Sequence, residues 1–184
     1  LTVALQGGSA GGSNSGLGGA GAGAIEIGAL GAVSVGTIVA NGGSGAVKPN
    51  GASSNGGGSG GAIRIHGAIV SAGSLQARGG SSVDAHAIAG GGGGGGRILV
   101  AVDTFTLGGP PLAGDVSGGI GGQAEFSGKN GERGVFDLRA ALAVVGSGQV
   151  FTPDAIGRMA LPGGAGLIAK DIVLRRGGAA LASH

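Results

Sequence analysis

The sequence predicts an all-β protein whose short strands stack as rungs of a β-solenoid, with ordered glycine-rich excursions between the rungs. Three observations carry this prediction. Fifty of the 184 residues are glycine, about four times the usual share. A 37- to 38-residue repeat returns the same aliphatic pattern. No amphipathic stretch of helical length interrupts the first hundred residues, so the strands must be joined by turns. Hydrophobic residues make up 41% and charged residues 11%, the reverse of the profile that keeps chains unfolded. Glycine does not recur at every third position throughout, which excludes collagen.

The amino terminus sets the frame. Thr2-Val3-Ala4-Leu5-Gln6-Gly7-Gly8 aligns with Thr37-Ile38-Val39-Ala40-Asn41-Gly42-Gly43, so the chain is expected to open in the closing strand of a repeat. The first full repeat holds three alternating runs, Ile25-Glu26-Ile27, Val33-Ser34-Val35 and Ile38-Val39-Ala40. Period-2 alternation of β-branched with small or polar residues marks half-buried strands, and the glycines that cut the runs are expected to supply positive φ at the corners. The second repeat follows as Gly61-Ala62-Ile63-Arg64-Ile65 and Val70-Ser71-Ala72-Gly73-Ser74-Leu75-Gln76-Ala77. A looser third copy begins at Gly96-Arg97-Ile98-Leu99-Val100, runs through Phe105-Thr106-Leu107 and closes at Val116-Ser117-Gly118-Gly119.

This frame points Ile25, Ile27, Val33, Val35, Ile38, Ile63, Ile65, Leu75, Ile98 and Val100 inward. Glu26 and Arg64 fall at one repeat position, flanked by apolar residues, and are expected to face outward and pair.

Between the strand regions lie residues 7–24, 42–62 and 79–97, nearly pure Gly, Ser, Ala and Asn. Such composition is usual in flexible linkers. Here each segment follows a strand and precedes an Ile-containing one, which favours extended, polyproline II-like segments packed on one another through the close approach that glycine permits. From about residue 125 the character changes. Residues 101–184 hold fourteen of the twenty charged residues and eighteen of the fifty glycines. Residues 1–124 are therefore read as the glycine-rich solenoid, and residues 125–184 as a degenerate terminal rung, opened by Gly134-Val135-Phe136-Asp137-Leu138-Arg139, with a capping or docking segment.

The residue types exclude several chemistries. There is no Cys, Trp or Tyr, so disulfide frameworks, thiol catalysis and Cys-based metal sites are absent. The run Gly90 to Gly96 followed by Arg97 lacks the Gly-Lys-Ser/Thr ending of a phosphate loop and leads into a strand pattern. Asp84 and His86 lie two apart with no third ligand near them in sequence. Gly57-Gly58-Ser59-Gly60-Gly61 matches the letters of a nucleophile elbow, but its setting is a glycine run. No carboxylate pair suits glycoside cleavage. The chain is expected not to be an enzyme and to need no cofactor. A net charge of +2 with no basic cluster argues against nucleic acid as a partner, and no stretch of 18 apolar residues is present to span a bilayer as a helix.

The order of glycine-rich run, Gly-Gly-Ala-Ile-Arg-Ile, Val-Ser-x-Gly-Ser-Leu-x-Ala-x-Gly-Gly and Gly-Gly-Arg-Ile resembles repeats of large secreted bacterial surface proteins, the filamentous-haemagglutinin and autotransporter-stalk type. The likeness covers roughly residues 1–120. It implies a right-handed parallel β-helix, a place outside the cell or on its surface, and a structural or adhesive role. Two functions are expected from it: a subunit or module of a self-assembling fibre, sheath or stalk, or an adhesin or tail-tip module recognising a cell-surface glycan. The lack of Trp and Tyr for sugar stacking favours the first. A solenoid exposes unpaired strand edges at its ends. Thr2, Val3 and Leu5 at one end, and Leu167, Ile168, Ile172 and Leu174 at the other, are thus the expected contacts of a homo-oligomer or filament.

Overall fold

The computed structural model describes residues 4–13, 17–106, 113–145, 158–160, 166–176 and 179–183, with side chains described over residues 4–13, 17–104 and 114–141. Among these residues the fold is all-β, with parallel sheets and no helix. The strands are β1 (Ala24–Gly28), β2 (Ala32–Val39), β3 (Ala62–Gly67), β4 (Ile69–Gln76), β5 (Arg97–Thr106), β6 (Ala113–Asp115), β7 (Val135–Val145), β8 (Arg158–Ala160), β9 (Gly166–Arg176) and β10 (Ala179–Ser183). One sheet runs β1-β3-β5-β7-β9-β10, with β8 beside β9, and a second runs β2-β4-β6. The β1 to β9 series is parallel, whereas β8 and β10 pair with β9 antiparallel.

The repeat sets the register. Ile25 pairs with Ile63, Ile63 with Ile98, and Ile98 with Phe136. In the second sheet Val33 pairs with Val70 and Ile38 with Leu75. Ile63, Ile65, Ile98, Val100, Phe136 and Leu138 from the first sheet meet Val33, Ala72, Leu75, Ala77 and Val116 in one buried cluster, with Ile27, Val35, Ile38 and Val70 packed against it. Each fully buried aliphatic side chain contributes about 1.5–3 kcal/mol. The aliphatic residues expected inward are in this cluster except Ile25, which is 40% exposed because β1 is the end strand of the sheet among the described residues.

Two strand expectations change. Val33-Ser34-Val35 and Ile38-Val39-Ala40 are not separate strands, since β2 runs through Gly36 and β4 through Gly73. The glycine instead shifts the alternation: Ala72 and Leu75 are both buried though three residues apart. Phe105 and Thr106 extend β5 in the first sheet, while Leu107 lies outside the described residues. The first sheet continues across residue 125 through the β5–β7 pairing.

The glycine-rich stretches are ordered and make two passes each. An outgoing segment follows the second sheet (41–46, 77–83, 116–122), and a returning segment leads into the first sheet (17–23, 54–61, 89–96, 128–134). Residues 54–61 show the rule. Asn55, Gly58 and Gly61 donate their N–H groups to the carbonyls of Ala46, Gly43 and Ala40, at 2.9, 2.9 and 2.8 Å. Gly56 and Ser59 donate to Gly12 and Ser9, and Gly57 and Gly60 to Gly91 and Gly94, all at 2.9 Å. Three faces with a three-residue period define a threefold extended helix of the polyproline II type.

Segments within a layer run parallel and the two layers run antiparallel. One file of N–H···O bonds crosses between them repeatedly: Gly131 to Gly119, Gly93, Gly80, Gly58, Gly43 and Ala20, each bond 2.7–2.9 Å.

Positive φ is not what selects these glycines. Among the described residues only Gly51 has it, at 71°. Close approach does: a Cβ on Gly58 would strike the Ala20 carbonyl, one on Gly93 the Gly58 carbonyl, and one on Gly119 the Gly80 carbonyl.

Candidate functional site

The outward face of the first sheet gathers the charges. Glu26, Arg64, Leu99 and Asp137 occupy one register row. Arg64 Nη1 lies 3.4 Å and His66 Nε2 3.3 Å from Glu26 Oε1, so the expected pairing of Glu26 with Arg64 forms between neighbouring strands and His66 joins it. Arg97 Nη2 sits 3.8 Å from Asp137 Oδ2. A cavity of about 560 Å³ opens over this face, lined by Leu5 and Gln6 on one side and by Arg64, Leu99 and Arg139 on the other. Arg64 Nε is buried there with no hydrogen-bond partner.

A second charged contact stands where outgoing segments leave the other sheet. Arg78 Nε lies 2.7 Å from Asp115 Oδ2. The Asp115 carboxyl is held below its ordinary value, chiefly by the Ser117 backbone N–H at 2.9 Å, with further help from the Ser117 hydroxyl and Arg78 against the opposing effect of burial.

Groups singled out for chemistry have structural partners. Asp84 Oδ1 accepts the Gln123 N–H at 2.8 Å, and the His86 backbone N–H donates to the Gly51 carbonyl at 2.9 Å. Gly90 to Gly96 belong to a returning lattice segment, and the Ser59 hydroxyl contacts the Ser9 carbonyl at 3.2 Å. Among the described residues no three His, Cys, Asp or Glu side chains gather as a metal site requires, and no helix is long and apolar enough to cross a membrane.

The residues expected at the ends fall as follows. Thr2 and Val3 lie outside the described residues. Leu5 is half-buried and belongs to no strand; it lines the cavity over the first sheet. Leu167, Ile168, Ile172 and Leu174 lie on β9, where they pair with Leu138, Arg139, Ala143 and Val145 of β7, and β8 and β10 pair with the same strand. Among the described residues, β1 is the parallel edge of the first sheet with no second strand beside it, and Ile25 lies on it.

Sequence reasoning missed the fourth glycine-rich excursion, residues 116–134, because Lys129, Glu132 and Arg133 interrupt its composition. The signal was a period, Gly128-x-x-Gly131-x-x-Gly134, since only the inward-facing third of a threefold helix must lack a side chain. It also missed Asn41 and Ser81, whose side chains, together with that of Asp84, accept outward N–H groups of the outgoing layer.

No family model, curated protein or solved structure matches the chain.

Proposed function

We propose that this chain is a structural module of an extracellular or cell-surface fibre, sheath or stalk, built as a right-handed parallel β-helix whose coils are completed by the glycine-rich excursions. The observation that carries the reading is the open edge at β1. Ile25 is 40% exposed, whereas its register partners Ile63 and Ile98 are 1% and 0% exposed. A further parallel strand on β1 would bury Ile25 as β3 buries its successors, and would satisfy the unpaired backbone edge. Contact of this head-to-tail kind propagates unless its rotation closes a ring.

Electron microscopy of the purified chain tests the proposal: end-to-end filaments are expected, and Ile25→Lys should abolish them while leaving the thermal midpoint nearly unchanged. Monodisperse particles at high concentration would contradict it. The alternative reading, an adhesin for a cell-surface glycan, draws on the cavity beneath Leu5 and Gln6, where Arg64 and Arg139 would face an acidic sugar. A glycan array with an acidic hit lost in Arg139→Ala would favour it over the fibre.

A further inference from the structure

The two glycine-rich layers are finished differently on their outer faces. On the outgoing layer, side chains close several of the outward N–H groups. Arg78 N–H donates to Asn41 Oδ1 at 2.8 Å, Ile120 N–H to Ser81 Oγ at 3.0 Å, and Gln123 N–H to Asp84 Oδ1 at 2.8 Å. On the returning layer the outward N–H groups of Gly56 and Ser59 are closed by backbone instead, through residues 6–12 lying across them. Gly8 and Gly11 of that segment donate in turn to Ala22 and Gly19, at 2.7 and 2.8 Å.

One returning segment further on, Gly91 and Gly94 hold the positions equivalent to Gly56 and Ser59. Their carbonyls accept from Gly57 and Gly60, but among the described residues nothing accepts from their N–H groups. Their lack of a side chain is also unforced by this chain at Gly94, where a Cβ would meet nothing nearer than the Glu132 carbonyl at 3.9 Å. A groove runs here along residues 6–12. It holds a cavity of about 540 Å³ lined by Gly12, Gly56, Ile88 and Gly91. Lys129 and Glu132, both exposed, stand on the next returning segment and mark its far side. Unpaired backbone donors facing bare glycine, beside a backbone segment already seated on the equivalent donors, match a place for one more segment of the same kind.

We infer that this groove docks a glycine-rich threefold segment from a second copy of the chain, residues 6–12 of that copy, whose carbonyls accept the N–H groups of Gly91 and Gly94. Residues 6–12 already make this contact one position away, so the interface continues an existing one. They also form the outermost segment of the lattice among the described residues, and a Cβ on Gly12 would meet nothing within 4 Å, which leaves that side open to a second returning layer. The contact is lateral and separate from the β1 edge.

Residue-resolved amide exchange of the full chain across a concentration series, with sedimentation velocity in parallel, tests the inference. As a dimer forms, exchange at Gly91 and Gly94 should slow by about tenfold or more. Gly94→Leu should fill the groove and remove both the dimer and the protection without moving the thermal midpoint, and Gly94→Ala should weaken both. End-to-end stacking would protect β1 and leave Gly91 and Gly94 fast. The inference is overturned if these two amides keep their fast exchange while the chain associates, if the chain stays monomeric throughout, or if the Gly94 variants dimerise like the parent. It is also overturned if a synthetic peptide with the sequence of residues 6–12 protects them in a chain that does not self-associate, which assigns the groove to a segment of another protein.

Discussion

The strand-forming and glycine-rich halves of each repeat pack on their neighbours by different physics. Between the sheets, Ile63, Ile65, Leu75, Ile98 and Val100 fill the interior with side chains, and the backbone bonds only along each sheet. In the glycine-rich half there are few side chains to fill anything, and the backbone bonds in three directions at once. The first half is held by removal of apolar surface from water. The second is held by a lattice of peptide hydrogen bonds, each worth about 0.5–1.5 kcal/mol net, against a backbone ordering cost of about 1–2 kcal/mol per residue. These terms are of similar size, so the lattice depends on the sheets that anchor its ends. The two halves should therefore respond in opposite ways to volume: the aliphatic half to its removal, the glycine half to its addition.

Removal from the aliphatic half has the largest expected effect. Leu75→Ala, at a fully buried position, should cost about 2–5 kcal/mol, read by denaturant unfolding, while Ile98→Val should cost about 0.5–1.5 kcal/mol. A loss between these two is expected at the far tip of the lattice. The buried Ser54 hydroxyl donates to the Val83 carbonyl at 2.6 Å, and its oxygen accepts the Gly90 N–H at 3.1 Å. Ser54→Ala strands the Gly90 N–H, leaves the Val83 carbonyl only the Ser82 hydroxyl at 3.4 Å, and should cost about 1–3 kcal/mol; a change below that, by the same unfolding measurement, would mean the tip relaxes without it.

The smallest effect is electrostatic. The depressed folded-state value of Asp115 means that its contribution is fully present above the ordinary carboxylate value of 3.8 and is lost as pH falls through the lower folded value. The carboxylate is 39% exposed, so solvent screening keeps the term small. Asp115→Asn should flatten only the acid limb below about pH 4 in a pH series of thermal midpoints.

Much of this arrangement was legible in the residues. The register Ile25–Ile63 and Val33–Val70 follows from repeat spacing, because only equivalent positions bring equivalent faces together. The outward pairing of Glu26 with Arg64 follows from alternation. The segments at 42–62 and 79–97 were identifiable as packed because they recur between strands. Gly36 and Gly73 misled because a glycine inside a strand reads like a corner, and whether it turns the chain or shifts its alternation depends on the neighbouring strand. The lattice beyond residue 116 was hidden by its charged outer positions. Nothing local to Gly91 and Gly94 separates them from Gly90 and Gly93, since the difference lies in which neighbour each face meets.

That last difference offers the most direct test of the lattice. Gly93 and Gly94 are adjacent, in one glycine run, and alike to any reading of composition. A Cβ on Gly93 would strike the Gly58 carbonyl, whereas one on Gly94 has the Glu132 carbonyl at 3.9 Å as its nearest neighbour. Thermal and denaturant unfolding of Gly93→Ala and Gly94→Ala, on dilute monomeric chain, should therefore give a loss of about 1–3 kcal/mol or more for the first and a change within about 0.5 kcal/mol for the second. Equal, near-zero effects at both positions, as a flexible linker would give, would contradict the lattice.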